Sequence, residues 1–536
     1  MKKLWSVYWV GIFLCCLSLV FLGLASMSSK GVSVLVEWGL GLSSFQVIFD
    51  FYSLIFLWVI CLISGSVMVF SSQYMEGDTF VRRFHLSVLS FVVAMVCMVL
   101  ASNLFSTMVG WDGLGVTSFY LVQYFQNQDS FDASFLTGLS NRVGDVFVVL
   151  ALCQCLSFSG SSWLKWSSVI LVLGGMTKSA QFPFSAWLPA AMSAPTPVSS
   201  LVHSSTLVTA GVYLLVRYGS EEVSEFLLMA SLMTMNVAGL SAVFEDDLKK
   251  IVALSTLGHL SFMMLALGLG MCDLAMFHCV VHALGKAGMF ICVGNLMLAQ
   301  MGSQDSRSVN WWYSSLDISY WGLFLSSGIL MGVPFFSAGV SKEMILHACL
   351  ELGSSWVVPM LLASGVLSSF SYTMSLWWSL MSEKLCSPNK KSEEVVLPVV
   401  VLVGSLICSG FLLKNMFFGE VSEMYDSAWL SGGAFLVSVI FCLLSAYESP
   451  LYKKKFFFFQ SLCGLESVSG QLPSKLMKEL SEGALYLEGW SEALYPGKGL
   501  YSSFHCSDLG SKEKAPIFVV WGSGFMLVML LLVSLM

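Results

Sequence analysis

Residues 174–218 form an apolar stretch that nevertheless carries ionisable side chains. His203 is the one acidic or basic residue between Lys178 and Arg217. The stretch also contains the prolines Pro183, Pro189, Pro195 and Pro197. An ionisable group at bilayer depth costs at least ~2.5–3.5 kcal/mol, and interrupted helical backbone is tolerated in a membrane only inside protein or beside a water-filled cavity. The stretch therefore predicts part of an enclosed ion path.

The composition indicates that the chain folds in a lipid bilayer rather than in water. Of the 536 residues, 56% are hydrophobic and only 11% are charged, whereas a soluble domain carries about 25% charged residues. Because a membrane span needs ~20 apolar residues, the apolar runs predict an all-α polytopic membrane protein with about 14–16 transmembrane helices. The net charge of −7 is spread thinly along the chain, so nucleic acid is not an expected partner.

The fifteen cysteines are candidate metal ligands. They are scattered, and no Cys-x-x-Cys pair occurs, so neither zinc nor iron–sulfur ligation is predicted. No Gly-x-Gly-x-x-Gly follows a predicted strand, so a nucleotide-binding fold is not predicted either. We therefore expect no metal or cofactor to be held by this chain itself.

The membrane segments group into six predicted regions. The first apolar run, from Leu4 to Ser29, exceeds the 7–15 residues of a signal-peptide core, and we predict a membrane helix there. The regions are residues 1–79 with N-terminal transmembrane helices, 80–245 and 246–400 with the two halves of a transporter, 401–446 with additional transmembrane helices, 447–515 with an amphipathic helix, and 516–536 with a final transmembrane helix.

Residues 447–515 are richer in charge than the rest of the chain. Apolar residues recur there at three- and four-residue steps, at Leu476, Leu480, Ala484, Leu487, Trp490 and Leu494. The opposite face carries Lys475, Lys478, Glu479, Glu482 and Glu492. This pattern predicts a lateral helix on the membrane surface. It either binds neighbouring subunits or belongs to an ordinary extramembrane loop.

Asp112 and Asp145 are candidate buried acids. Asp145 follows Arg142 by three residues, so the two lie on one helix face. Asp145 therefore either neutralises Arg142 or belongs to the ion path. Asp112 has no partner nearby in the sequence, and we predict an ion pair between it and Lys178 from another helix.

His278, His282 and Lys286 follow one another at four-residue steps. This spacing stacks them on one face of one helix. A metal site lacks an evident third ligand, and hydrogen bonds in helix packing are a second alternative. Three titratable groups one turn apart favour a proton wire.

Lys342 and Glu343 follow a second interrupted apolar segment, which contains Gly332, Pro334 and Gly339. Two broken apolar segments in the two halves of a transporter are typical of inverted repeats. The sequence therefore predicts two inverted repeats with broken helices, each with a lysine near its break.

Six motifs within about residues 45–350 resemble a known family. They are GWDGLGVTSFYL, NRVGDVF, TKSAQFPFSAWLPAAMSAPTPVSSLVHSSTLVTAGVYLLVR, DDLKKIVALSTLGHLSFMM, HCVVHALGKAGMF and GVPFFSAGVSKEMIL. In them the chain resembles the mitochondrially encoded chain 5 family of the proton-pumping NADH:ubiquinone oxidoreductase, respiratory complex I. The pattern at 447–536 favours chain 5 over its sister chains 4 and 2, which share the antiporter-like fold.

The resemblance implies a proton relay. Asp112 and Lys178 match the family's first acid–base pair, Lys286 its middle lysine and Lys342 its terminal lysine. The full set of implied relay residues is Asp112, Asp145, Lys178, His203, His278, His282, Lys286, Lys342 and Glu343. Two departures from the family pattern are an Asp where the first acid is often Glu, and small residues around Lys286 where bulky ones are usual.

The resemblance also implies a place in an assembly. The chain would be a core membrane-arm subunit of a translocase, moving protons while electrons pass from NADH to ubiquinone in other subunits. NADH, FMN, iron–sulfur clusters and ubiquinone would be bound by those partners, and this chain would hold no redox site. The implied partners are other membrane-arm subunits, especially the neighbouring antiporter-like chain and those along the lateral helix, with phospholipids. The implied location is the mitochondrial inner membrane, where local synthesis needs no transit peptide.

Two other functions stay open from the sequence. A stand-alone Mrp-type cation/proton antiporter subunit shares the core motifs. Sodium-dependent proton exchange in vesicles without other respiratory subunits would favour it. The second of these functions is a structural spacer, in which the buried charges pair only with each other. Pumping that survives neutralisation of both Asp112 and Lys178 would favour it.

Overall fold

The computed structural model describes most of the first 418 residues. The described residues are 2–28, 34–38, 45–157, 161–219, 224–299, 302–306, 317–333, 336–352, 357–381, 395–418, 462–465 and the isolated positions 475, 478, 479 and 481. Met1–Ser469 forms one compact unit, and Gly470–Met536 forms a second. Apart from the isolated positions, the predicted lateral helix at 447–515 and final helix at 516–536 lie outside the described residues or touch them only at 462–465.

Helices joined by short connections build the described chain. In order they are α1 Lys2–Met27, α2 Phe51–Tyr74, α3 Val81–Leu100, α4 Leu104–Val122, α5 Gln128–Ser157, α6 Ser161–Lys178, α7 Trp187–Ala190, α8 Thr196–Val198, the π segment Ser199–Thr206, α9 Leu207–Tyr218, α10 Ser224–Phe244, α11 Leu248–Gly268, α12 Cys272–Ala299, α13 Asp317–Met331, α14 Ser337–Leu352, α15 Val357–Met381 and α16 Val396–Phe418. Helix α1 confirms the predicted first membrane helix.

The membrane-spanning helices differ in how deeply they are enclosed. Among the described residues, 9 helices are long and apolar enough to span a membrane, or up to 10 if the bent α16 counts as one span. Three spans each have an 18-residue apolar stretch that is wholly buried within the chain, namely Phe51–Tyr74, Thr196–Tyr218 and Cys272–Ala299. These central spans are surrounded by helices that keep an apolar outer face, so the predicted polytopic helical fold is confirmed.

One β-hairpin adds to the predicted all-α architecture. Strands β1 Val34–Trp38 and β2 Phe45–Phe49 pair antiparallel, with Val34 opposite Phe49 and Trp38 opposite Phe45. Both strands are rich in the β-branched and aromatic residues that suit a pleated surface. The hairpin occupies the connection between α1 and α2.

Both predicted helix interruptions are present. The first interruption separates the end of α6 at Lys178 from the start of α9 at Leu207. Only short helices and the π segment lie between α6 and α9. The second interruption separates the end of α13 at Met331 from the start of α14 at Ser337. The first break directly follows Lys178, and the second lies a few residues before Lys342, whose ammonium reaches the carbonyl oxygen of Met331 at the end of α13.

Candidate functional site

Trp111 is the centre of the first buried cluster. Its indole N–H, on α4, donates to Oδ1 of Asp145 on α5 at 2.8 Å. The ammonium of Lys178, at the end of α6, donates to the carbonyl oxygen of Trp111 at 2.6 Å and lies 3.8 Å from the centroid of the indole ring. A cation over the face of a tryptophan is attracted by the ring quadrupole. Trp111 therefore holds an acid and a lysine in one site.

Arg142 connects the two acids of this cluster. Its guanidinium lies 2.9 Å from Asp145 and 3.4 Å from Asp112. The predicted pairing of Arg142 with Asp145 on one helix face is thus confirmed. Asp145 also bonds Trp111, so its role extends beyond neutralising the arginine.

The predicted ion pair between Asp112 and Lys178 is wrong. Both residues are described, yet the carboxylate of Asp112 meets Arg142, and its side chain is 50% exposed. Successive residues on an α-helix point about 100° apart, so Asp112 turns away from Lys178 while Trp111 faces it. Asp145 remains linked to Lys178, because Trp111 bonds both of them.

His203 lies in the π segment, which packs against α12. Its side chain is 1% exposed, and neither ring nitrogen has a hydrogen-bond partner within the described residues. Its ring centroid is 6.2 Å from that of Trp187. Most buried polar side-chain atoms have a hydrogen-bond partner in the protein or in ordered water, so His203 is a polar group that water would satisfy.

The second cluster lies on α12. His278, His282 and Lys286 are all fully buried at four-residue steps in this unbroken helix, as predicted. The ammonium of Lys286 donates to the hydroxyl of Ser255 on α11 at 2.5 Å. His282 has no hydrogen-bond partner in the described part of the chain.

Lys342 joins α14 to the end of α13. Its ammonium donates to the carbonyl oxygen of Met331 at 3.1 Å and lies 5.3 Å from the ring centroid of Phe262. The carbonyls that end a helix carry partial negative charge and favour a cation. Glu343 is the next residue of α14 and is partly buried.

Three further side chains complete the second cluster, and the sequence analysis did not identify them. Ser341 on α14 contacts Nδ1 of His278 at 2.7 Å, and the hydroxyl of Ser255 accepts the hydrogen bond of Lys286. His259 on α11 lies 3.3 Å from His278. Ser255 and His259 are four residues apart in an apolar run, a spacing that would have indicated one polar helix face.

The structure distributes the nine candidate residues between the first cluster, the second cluster and two further positions. Trp111 and Arg142 bring together Asp112, Asp145 and Lys178, whereas the second cluster contains His278, His282, Lys286 and Lys342. His203 stands on the π segment, and Glu343 lies beside Lys342. In the described ranges, no group of three or more His, Cys, Asp and Glu side chains is arranged to hold a metal ion.

The fold and the buried lysines beside broken helices define an antiporter-like membrane protein. A family model described as NADH:quinone oxidoreductase/Mrp antiporter matches residues 101–368. Another, for the N-terminus of chain 5 of NADH-ubiquinone oxidoreductase (complex I), matches residues 42–85. The solved structure of an Mrp complex from Dietzia sp. is similar in fold over 99% of this chain and 66% of that chain, with a TM-score of 0.76 and 20% identity.

Curated relatives are similar over most of the chain. NADH-ubiquinone oxidoreductase chain 5 of Aedes aegypti is 35% identical over 94% of this chain and 93% of the relative. The chain 5 of Mytilus edulis is 36% identical over 89% and 90%, and that of Lumbricus terrestris is 40% identical over 71% and 70%. This chain belongs to the NADH-ubiquinone oxidoreductase chain 5 family.

Proposed function

We propose that this chain carries protons across the membrane along a buried line of acids, lysines and histidines. Membership of the chain 5 family makes it a membrane subunit of the proton-translocating NADH:ubiquinone oxidoreductase and a multi-pass protein of the mitochondrial inner membrane. In chain order the proposed line comprises Asp112, Asp145, Lys178, His203, His278, His282, Lys286, Lys342 and Glu343.

Three buried lysines carry this proposal. Lys178, Lys286 and Lys342 are at most 5% exposed, and each ammonium donates to a neutral oxygen. None of them makes an ion pair within the described residues. A buried charge outside an ion pair costs several kcal/mol, which a fold would not meet three times for stability alone. A role in gaining and releasing protons in turn would explain why all three lysines are buried.

The acids supply a way to change the proton affinity of the first lysine. A low-dielectric site favours the neutral form of a lysine, and a nearby carboxylate favours the charged form. A change in the separation of Asp145 and Lys178 therefore loads or releases a proton. Water, with His203 or His282, then carries the proton to Lys286 and on to Lys342.

The energy for this transport comes from partner subunits. Moving one charge against 100 mV requires roughly 2.3 kcal/mol, and electron transfer from NADH to ubiquinone supplies it. NADH, FMN, iron–sulfur clusters and ubiquinone belong to those partners. The direct neighbours are an adjacent antiporter-like chain and the subunits along residues 447–515. Phospholipids contact the outward apolar faces of α3 to α5, where Val93, Tyr120 and Leu139 are exposed.

The size of the assembly tests this function against that of a stand-alone antiporter, because the Mrp complex is similar in fold alone. Native membranes are solubilised in mild detergent and separated on a native gel stained for NADH oxidation, and this chain is located by mass spectrometry. We expect it in a large NADH-oxidising band. Migration alone or with a few small partners, together with sodium-dependent proton exchange in vesicles, would support the antiporter instead.

Asp145→Asn is expected to slow proton pumping more than Asp112→Asn. Asp145 bonds Trp111, which also holds Lys178, whereas the side chain of Asp112 is half exposed. A lost coupling of about 1.4 kcal/mol would lower the proton affinity of the lysine roughly tenfold. The initial rate of NADH-driven proton uptake into vesicles measures it, at equal amounts of assembled complex. A larger loss with Asp112→Asn would contradict the assignment.

A further inference from the structure

His259 occupies a gap in the line of histidines. His278 and His282 are one turn apart on α12, about 6 Å along the helix axis. His282 has no hydrogen-bond partner within the described residues. His259, on α11 and 2% exposed, approaches both. Its Nδ1 is 3.3 Å from Nε2 of His278, and its ring centroid is 5.4 Å from that of His282.

The hydrogen bonds around His278 have a direction. The hydroxyl of Ser341 holds one proton and donates it to the carbonyl oxygen of Ala338 at 3.1 Å. In the tautomer that leaves this hydroxyl proton bonded to Ala338, the 2.7 Å bond between Ser341 and Nδ1 of His278 is donated by the histidine. A neutral imidazole has one donor and one acceptor nitrogen, so Nε2 of His278 accepts from Nδ1 of His259. The bonds therefore point from His259 toward α14, which carries Lys342.

A small cavity borders His259 on the side of α10 and α15. It offers about 10 Å³ to the centre of a water molecule, close to the room that one water needs. Ser368, Ser369 and Tyr372 supply polar groups to its wall, and Gly258 lies beside the histidine. A water in this cavity would give the second nitrogen of His259 a polar partner in an otherwise apolar surrounding.

We propose that His259 is a further relay residue that joins His282 to His278 and thereby connects Lys286 with Lys342. Nε2 of His259 accepts a proton from His282 or from the cavity water, and Nδ1 releases its own proton to Nε2 of His278. His278 in turn releases its Nδ1 proton to the hydroxyl of Ser341, which gives up its own proton through water to the neutral amine of Lys342. Each ring gains one proton and loses one, so neither ring changes its charge over the whole step.

The inference rests on the proposed function. It adds to the proposed path a step in which the proton passes from α12 to α11 and back. The titratable groups that act on His259 are His278, His282, Lys286 and Lys342. Protons arriving at Lys286 therefore reach α14 by way of α11, rather than along α12 alone.

His259→Gln tests the bridge in the assembled complex. The amide of glutamine can still donate to His278, but it cannot take up one proton while releasing another. Because a positioned proton carrier contributes on the order of 10²-fold or more to a transfer rate, we expect pumping through this subunit to fall about 100-fold. The ratio of protons pumped to electrons transferred in vesicles should then equal that of Lys286→Met. The matched control is His85→Gln, which removes a buried histidine bonded to Ser71.

The possible outcomes separate the bridge from the proposed function. A normal ratio in assembled His259→Gln, with a lowered ratio in Lys286→Met, overturns the bridge alone. Normal ratios in both variants overturn the proposed function as well. If His259→Gln does not assemble, Ser341→Ala decides, because it removes the acceptor that orients His278. Slower pumping supports the bridge, and unchanged pumping overturns it.

Discussion

Lys286→Met is expected to abolish proton pumping through this subunit while the complex still assembles. Lys286 is 1% exposed, and its ammonium bonds the hydroxyl of Ser255. Replacing a buried charged group by an apolar one of similar volume is often neutral for stability or favourable. Ser255 keeps its own bond to the carbonyl of Val252. The measurement is the ratio of protons pumped to electrons transferred in sealed vesicles oxidising NADH.

Lys250→Met is the matched control for this substitution. Lys250 lies on α11, and its half-exposed ammonium pairs with Asp247 at 3.4 Å, outside the buried line. We expect this variant to pump at the normal ratio. An assembled Lys286→Met complex with that same ratio would show that the central lysine carries no protons.

Gly211→Val is expected to prevent stable assembly. Helices α6 and α9 meet where a side chain at Gly211 would fall against the carbonyl oxygen of Gly175 and 3.1 Å from the backbone nitrogen of Ser179. Backbone atoms cannot rotate aside, so the helices must separate, and the cost reaches or exceeds the usual ~1–3 kcal/mol of overpacking. The amount of assembled complex on a native gel and its thermal inactivation measure this effect.

Gly404→Val provides the comparison for Gly211→Val. A Cβ at Gly404, on α16, meets no atom of the described residues within 4 Å, although the helical propensity changes in the same way. We expect normal assembly with this variant. Equal losses in the two variants would indicate that helix propensity, and not the α6–α9 contact, sets the tolerance at Gly211.

The helix breaks and the α12 cluster could be predicted because local chemistry decides them. Proline and glycine interrupt a helix wherever it packs, and four-residue spacing places His278, His282 and Lys286 on one face in any α-helix. These features depend on the chain within a few residues. They therefore followed from the sequence without knowledge of the neighbouring helices.

The partners across helices could not be predicted in the same way. The pairing of Asp112 depends on the rotation of α4 against α5 and α6, which turns Trp111 rather than Asp112 toward Lys178. The place of His259 depends on the packing of α11 beside α12 and α14. A histidine in an apolar run indicates no partner by itself, so its contact with His278 becomes visible only in the fold.

The most direct test of the central claim asks whether the two clusters act in series on one path. The ratio of protons pumped to electrons transferred is measured for assembled Lys178→Met, Lys286→Met and the double variant. Residues on one path give non-additive effects, so we predict that all three lower the ratio by the same amount. An unchanged ratio in both single variants, or a double variant that loses the sum of two separate losses, would contradict a single path through this chain.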